Sequence, residues 1–282
     1  MEIQYSSYTL RPKIRANRLS TLAPKSGVFL RTKQKDGYGH ADYFPHAELG
    51  DSPIEKFLTE FKSQNNEYDR KLVEFIKKDF GYRSTLRRPF FNHQLWTGIE
   101  TLKSPVIKYK MLKKDSELYL NLLNQGIRIR FDGNALFTRD ELISFIQKIP
   151  KDKHHLIDYM EDPLLSLDWS NLPIPVAQDF IKGTPYDFCV HKPNSRFYPE
   201  TQKPVIFSGY LGSDLGFWHA YCELMERGDL SLAHGLVVED FFEDQKPLFK
   251  GEYDSLFVPD EEVVKEIYRN LESREWKILC SI

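Results

Sequence analysis

Charged residues recur at one kind of place in this chain. The segments "VIKYKM", "GIRIRFDGN", "HLIDYMEDP", "IPVAQDF" and "YDFCVHKP" each read as a short apolar strand. In chain order they end on Lys110, with Lys108 on the same parity, then Asp132, Glu161, Asp179 and Lys192. Within the second segment, Ile127, Ile129 and Phe131 share one face, while Arg128, Arg130 and Asp132 share the other. In a parallel barrel the C-terminal ends of the strands meet around one mouth, where active sites form. Three acids delivered there repel one another unless a cation lies between them. An all-carboxylate donor set with open water positions suits a hard divalent ion, Mg²⁺. Two lysines on the flanking strands then face each other across that ion. A single acid at a strand end is usually a helix cap or a surface group. Capping does not account for the ordered set of five.

The elements that must carry these residues can be read along the chain. "SGVFLRTKQKDGYGHADYFP" predicts a strand at 27–32, a turn at Asp36-Gly37 and a second strand near 38–43. "DSPIEKFLTEF" opens a helix, with Pro53 in its first turn. A second helix is expected over 72–80, followed by a basic, turn-rich stretch, "GYRSTLRRP", read as a solvated linker at a domain boundary. From Pro105 onward short strands alternate with some helices, as at 139–149 and 215–227, which implies a parallel sheet. The links from Asp179 to Lys192 and from Lys192 to Val205 are too short for ordinary barrel helices. The stretch from Phe91 to Pro105 has room for one helix, so the usual first strand and helix are expected to be reduced or missing. The expectation is an eroded (β/α) TIM-type barrel over 86–244 and an α+β capping domain over 1–85, completed by 245–282.

"KYK", "RFDGN", "MEDP", "QDF" and "HKP", in this order, resemble the enolase superfamily, and within its muconate-lactonizing branch the o-succinylbenzoate synthases. "GYGHADYFP" is similar to that family's Gly-x-Gly-Glu-x-x-Pro segment, with His40 where Glu is common. "VIFSGYLGSDLG" is similar to its seventh strand and the following helix start. The resemblance implies that Asp132, Glu161 and Asp179 hold Mg²⁺, that Lys110 is the acid/base catalyst and that Lys108 tunes it. It places Lys192 on the opposite face of the site, Asn134 in a supporting role, and Ser208, Gly209 and Gly212 at the substrate carboxylate. The implied reaction removes the α-hydrogen of a carboxylate substrate and expels a β-hydroxyl as water, giving o-succinylbenzoate for menaquinone synthesis. Gln178-Asp179-Phe180 lacks the acidic neighbour often seen after the third ligand. The basic stretch at 11–24 is expected to close over the site, with Arg11, Lys13, Arg15 or Arg18 meeting a dicarboxylate substrate.

The formal net charge of −2 gives no case for nucleic acid as the main partner. No window has 18 or more apolar residues, and "MEIQYSSYTL" has no basic region followed by an apolar run. Three cysteines without metal-type spacing fit a reducing cytosol. A cytoplasmic monomer acting on a small dicarboxylate is expected. His154-His155 reads as a surface pair on an extended segment, and "GYGH" as no dinucleotide fingerprint. The four tryptophans read as core or rim packing and Cys189 as a buried filler. Two other readings remain open. One is a racemase or epimerase of acylamino acids or dipeptides, which would use both lysines in turn. The other is a non-catalytic barrel scaffold.

Overall fold

The computed structural model describes the chain except residues 1, 14–20, 62–66, 97–101, 112–117, 182, 194, 196–200, 238–240, 244, 254 and 282. Strands β1 (Glu2–Leu10), β2 (Lys25–Gln34) and β3 (Gly37–Tyr43) form an antiparallel meander. Val28, Leu30, Ala41 and Tyr43 are buried in one cluster with Phe57 and Phe61 of α1 (Ile54–Phe61) and Leu72 and Ile76 of α2 (Glu67–Tyr82). Helix α2 passes so close to β3 that a Cβ on Gly39 would lie 1.9 Å from the Ile76 carbonyl oxygen. The second glycine of "GYGH" is therefore a packing requirement.

The barrel begins with β4 (Phe90–Asn92) and β5 (Gln94–Trp96), one stretch divided at His93. Then follow β6 (Val106–Lys110), α3 (Leu118–Asn124), β7 (Arg128–Asp132), α4 (Arg139–Gln147) and β8 (Ile157–Glu161). Next come β9 (Val176–Gln178), β10 (Phe188–His191), β11 (Val205–Phe207), α5 (Asp214–Arg227) and β12 (Ala233–His234). Strands β5 to β11 form one sheet in sequence order, every neighbour parallel. A bridge from Ser208 to Gly235 and the parallel pair β12–β4 carry the ring on from β11. The chain ends with β13 (Phe249–Tyr253), β14 (Leu256–Pro259), α6 (Glu261–Glu272) and β15 (Lys277–Ser281). Strand β14 pairs with β4, and β15 pairs antiparallel with β1, setting Cys280 opposite Ile3.

Helices follow β6, β7 and β11; among the described residues none follows β8, β9 or β10. The barrel is eroded as expected, and Leu165 and Leu167 on the uncovered β8–β9 link are exposed. The first strand is reduced, one of the two outcomes expected. It is short but present, and β5 pairs with β6 in register Gln94–Ile107. The alternation of buried Phe90, exposed Phe91 and buried Asn92 is a strand pattern that a reading for helix overlooks. Two corrections concern local structure. His154 and His155 lie in a 3₁₀ turn over Lys151–Leu156, not on an extended segment. The stretch after α2 is tied down, because Arg83 donates to the Tyr38 carbonyl at 2.6 Å and lies over the Tyr268 ring. Trp169, Trp218 and Cys189 are buried, as expected.

The sheet faces divide by chemistry. Ile107, Ile129, Phe131 and Ile157 share a core cluster with Tyr119, Leu122 and Leu123 of α3 and with Leu142, Phe145 and Ile146 of α4. Helix α4 is started by a capping box between Thr138 and Glu141. On the other face stand Lys108, Lys110, Arg130, Asp132, Tyr159 and Glu161, the last two after a register shift that follows Ile157. Such positions in a barrel are usually filled by branched apolar residues. Here the floor is polar. The Arg130 guanidinium donates to Asp158 at 3.0 Å, to His93 Nδ1 at 3.1 Å and to the Ala233 carbonyl at 2.6 Å. A register shift between Ile129 and Arg130 of β7, opposite β8, leaves Asp158 unpaired in the ladder and able to meet Arg130.

Candidate active site

Backbone register sets the site. Lys110 pairs with Asp132, and Asp132 with Glu161, so three charged side chains stand at one level on three adjacent strands. Lys108 pairs with Arg130 one level below. Asp179 and Lys192 each lie one residue beyond the ends of β9 and β10. Asp132, Glu161 and Asp179 are buried. The Lys108 ammonium donates to Glu161 Oε1 at 2.7 Å and lies 3.2 Å from Asp132 Oδ2. The Lys192 ammonium pairs with the Asp179 carboxylate and lies 4.1 Å from the centre of the Phe180 ring. Asn134, in the left-handed region at φ 42°, donates its amide to Asp132 Oδ1 at 2.5 Å.

Burial raises the carboxyls of Glu161 and Asp179. Lys108 and Lys192 oppose this, while Asp179 adds to it for Glu161 and Asp162 adds to it for Asp179. For Lys108, burial is outweighed by Asp132, Glu161 and Asp179, which hold its ammonium well above the usual range. Lys110 goes the other way. Burial lowers it first, and the ammonium groups of Lys108 and Lys192 add to the effect against Asp132. One lysine is thus locked as a cation and its neighbour two residues on is eased towards the neutral amine.

The three acids are brought to one mouth. Among the described residues, however, no three carboxylate, imidazole or thiol groups surround a common metal position. The cations between them are the ammonium groups of Lys108 and Lys192. The donor chemistry nevertheless fits a hard divalent ion. All three groups offer carboxylate oxygen, two are raised by burial, and a cation among them would relieve that penalty.

The expected carboxylate-binding donors look different in the structure. Ser208 N–H donates to the His191 carbonyl at 2.9 Å and Gly209 N–H to the Gly235 carbonyl at 3.0 Å. Both backbone donors are used in the barrel ladder, because this stretch continues the pairing of β11. The Ser208 hydroxyl keeps a long bond, 3.3 Å, to the same Gly235 carbonyl. A Cβ on Gly209 would clash with Phe217, and one on Gly212 would sit 3.1 Å from Phe44 Cβ, so both glycines serve close packing. Arg15 and Arg18 lie outside the described residues.

Three residues at the mouth escaped the reading of strand ends. Asp162, buried at φ 41°, accepts backbone N–H bonds from Asp179 at 3.0 Å, Phe180 at 2.9 Å and Ile181 at 3.3 Å. Burial, with the Glu161 charge adding, pushes its carboxyl up to about 7. It lies inside "MEDP", on the parity opposite Glu161, where a strand-end count passes over it. Phe180 stands beside Lys192, and the Tyr210 ring centre lies 6.5 Å from that of Phe180. The Tyr210 hydroxyl bonds Asp51, and His46 Nε2 donates to the Leu211 carbonyl at 2.7 Å, so the N-terminal region reaches the mouth.

Residues 3–80 match the family model of the o-succinylbenzoate synthase N-terminal domain. The chain is 25% identical to the o-succinylbenzoate synthase of Bdellovibrio bacteriovorus, over 86% of this chain and 88% of that protein. Among solved structures it is similar to an o-succinylbenzoate synthase from Thermosynechococcus elongatus BP-1 with Mg in its active site. The TM-score is 0.67 at 15% identity, over 96% of this chain and 100% of that one. It is also similar to the L-Ala-D/L-Glu epimerase from Bacillus subtilis, with TM-score 0.61 at 12% identity, over 92% of this chain and 96% of that one. The chain therefore shares the fold of these two solved enzymes, and its residues 3–80 are similar to the N-terminal domain of o-succinylbenzoate synthases.

Proposed function

We propose that this protein is a Mg²⁺-dependent o-succinylbenzoate synthase. It dehydrates 2-succinyl-6-hydroxy-2,4-cyclohexadiene-1-carboxylate to o-succinylbenzoate in menaquinone biosynthesis, as a cytoplasmic monomer. The observation that carries the reading is the contrast between two lysines on one strand: Lys108 held as a cation by Asp132 and Glu161, and Lys110 lowered beside it. Asp132, Glu161 and Asp179 would hold the Mg²⁺, which supplies positive charge for the substrate carboxylate. Lys110 Nζ takes the α-hydrogen as a proton, which requires the neutral amine that burial and its cationic neighbours favour. The same Nζ returns the proton to the departing β-hydroxyl, so water leaves and the ring becomes aromatic. Lys192 keeps its charge and faces the forming ring. The polar floor of Arg130, Asp158 and His93 holds β7 and β8 in register beneath the acids. The test is formation of o-succinylbenzoate with and without EDTA, in wild type and in Lys110→Ala. No product from the Mg²⁺-loaded wild type would overturn the reading.

The epimerase reading rests on the pair Lys110 and Lys192, which stand on the second and sixth strands of the ring and offer a base to each face of a bound substrate. Solvent deuterium exchange decides between the two. Inversion of an N-succinylamino acid with deuterium incorporation, and no o-succinylbenzoate, would favour epimerisation.

A further inference from the structure

Lys192 ends a flexible four-carbon stem whose compact charge can swivel about a single ion pair. In this structure the ammonium has two neighbours of different kind supplied by consecutive residues, the Asp179 carboxylate and the Phe180 ring face at 4.1 Å. The turn that presents both is clamped by Asp162 through the three backbone hydrogen bonds described above. The Phe180 ring is 38% exposed, more than its burial in a core would require, so its packing does not explain its place. A carboxylate at that position would hold the ammonium by cancelling its charge. An aromatic face attracts the cation through its quadrupole and leaves the charge in being.

We propose that Phe180 is a positioning residue for Lys192: its ring face and the Asp179 carboxylate fix the ammonium from two sides, and the ring does so without neutralising it. The consequence for turnover rests on the dehydratase reading above; the placement of Lys192 does not. Ring and carboxylate come from adjacent residues on one clamped turn, so they move together and hold the ammonium at a fixed setting. Tyr210, whose hydroxyl is bonded to Asp51, has its ring centre 6.5 Å from that of Phe180.

The experiment uses the full chain labelled with ¹³C-lysine. The Lys192 ε-methylene signal is assigned by its loss in Lys192→Arg. A ring stacked at this distance shifts those protons upfield. The shift is expected in wild type and in Phe180→Tyr, and is expected to be lost in Phe180→Leu. Phe180→Leu should melt with wild-type cooperativity, because the ring is partly exposed. Kinetically, Phe180→Leu should lower kcat by about tenfold with KM within about twofold, and Phe180→Tyr should restore kcat. An unshifted Lys192 signal in wild type, or a Phe180→Tyr variant as impaired as Phe180→Leu, would overturn the proposal. If the shifts behave as expected but wild type forms no o-succinylbenzoate, the dehydratase reading fails and the placement of Lys192 by Phe180 is supported.

Discussion

Two groups of buried carboxylates in this chain are treated in opposite ways. Asp79 of α2 is fully buried and takes hydrogen bonds from four fixed donors. These are His40 N–H at 2.9 Å and His40 Nδ1 at 3.1 Å, His219 Nε2 at 2.8 Å and the Tyr268 hydroxyl at 2.7 Å. The donors come from β3, α5 and α6, so one carboxylate joins four elements. Burial alone would raise its carboxyl, but the bonds from His219 and His40 outweigh burial and hold it well below the usual range. Glu161 and Asp179 at the barrel mouth are equally buried and end up raised. Their partners are ammonium groups on long stems. A carboxylate that holds a fold together is satisfied by rigid groups of defined geometry. The carboxylates that the proposed function assigns to a cation are left short of such donors.

The contrast predicts separate phenotypes. The largest effect is expected from Lys110→Ala, which should lower dehydration by at least about 10³-fold, at the scale of a lost general base. Its melting temperature should stay near wild type, because a group whose burial lowers its pKa gives up little on removal. Turnover near wild type would remove Lys110 from the mechanism. Asp79→Asn should do the reverse. It breaks a buried network and should cost about 3–5 kcal/mol of stability in denaturant titrations, with kcat per folded molecule little changed. A variant as stable as wild type would mean that the four donors are not the tie between elements. The third effect belongs to the metal. Mg²⁺ at 100 times its dissociation constant should stabilise wild type by about 2.7 kcal/mol. Glu161→Gln should lose that response and Asp79→Asn should keep it. Unchanged Mg²⁺ affinity in both Asp132→Asn and Glu161→Gln would break the metal assignment.

The difference between the two regions also explains what the sequence disclosed. The barrel mouth was legible because strand parity and chain order act locally. Lys110, Asp132 and Glu161 are set by alternation along each strand, and alternation can be read in one sequence. The Asp79 network was not legible, because its members at 40, 79, 219 and 268 meet through tertiary packing that no spacing records. His40 could be noted as standing where a Glu is common in similar proteins. That the carboxylate lies across from it on α2 could not. Asp162 was missed for a related reason, since its work is done on backbone N–H groups, which every residue type carries. The same blindness affected Ser208 and Gly209, where the resemblance implied donors for a carboxylate and the ladder had already used their backbone N–H groups. The short first strand was hidden by its division at His93, half paired to β6 and half to β12.

The smallest predicted effect asks whether the barrel floor follows the rule of Asp79 or that of the mouth. His234 is fully buried, and its Nδ1 accepts the Phe207 N–H at 3.1 Å. Its proton therefore sits on Nε2, which donates to the Asp229 carbonyl at 3.0 Å. Both nitrogens are held by backbone groups, as rigid as the donors around Asp79. Burial lowers its pKa to about 4, with Arg130 adding and the Asp229 carbonyl and carboxylate opposing. Because the folded value lies below the unfolded value of about 6.5, the native state favours the neutral ring. That contribution is complete above about pH 6.5 and is lost as pH falls towards 4. Wild type should therefore exceed His234→Gln in stability most at pH 7. The margin should shrink by about 2 kcal/mol by pH 5, near 1.36 kcal/mol per pH unit. Denaturant titrations of both proteins at several pH values measure this, and the difference removes the other groups that titrate in the same range. A margin that does not change with pH would show that the ring titrates alike in both states. The seam between β11 and β12 would then be held by packing and not by a neutral imidazole fixed between two backbone groups.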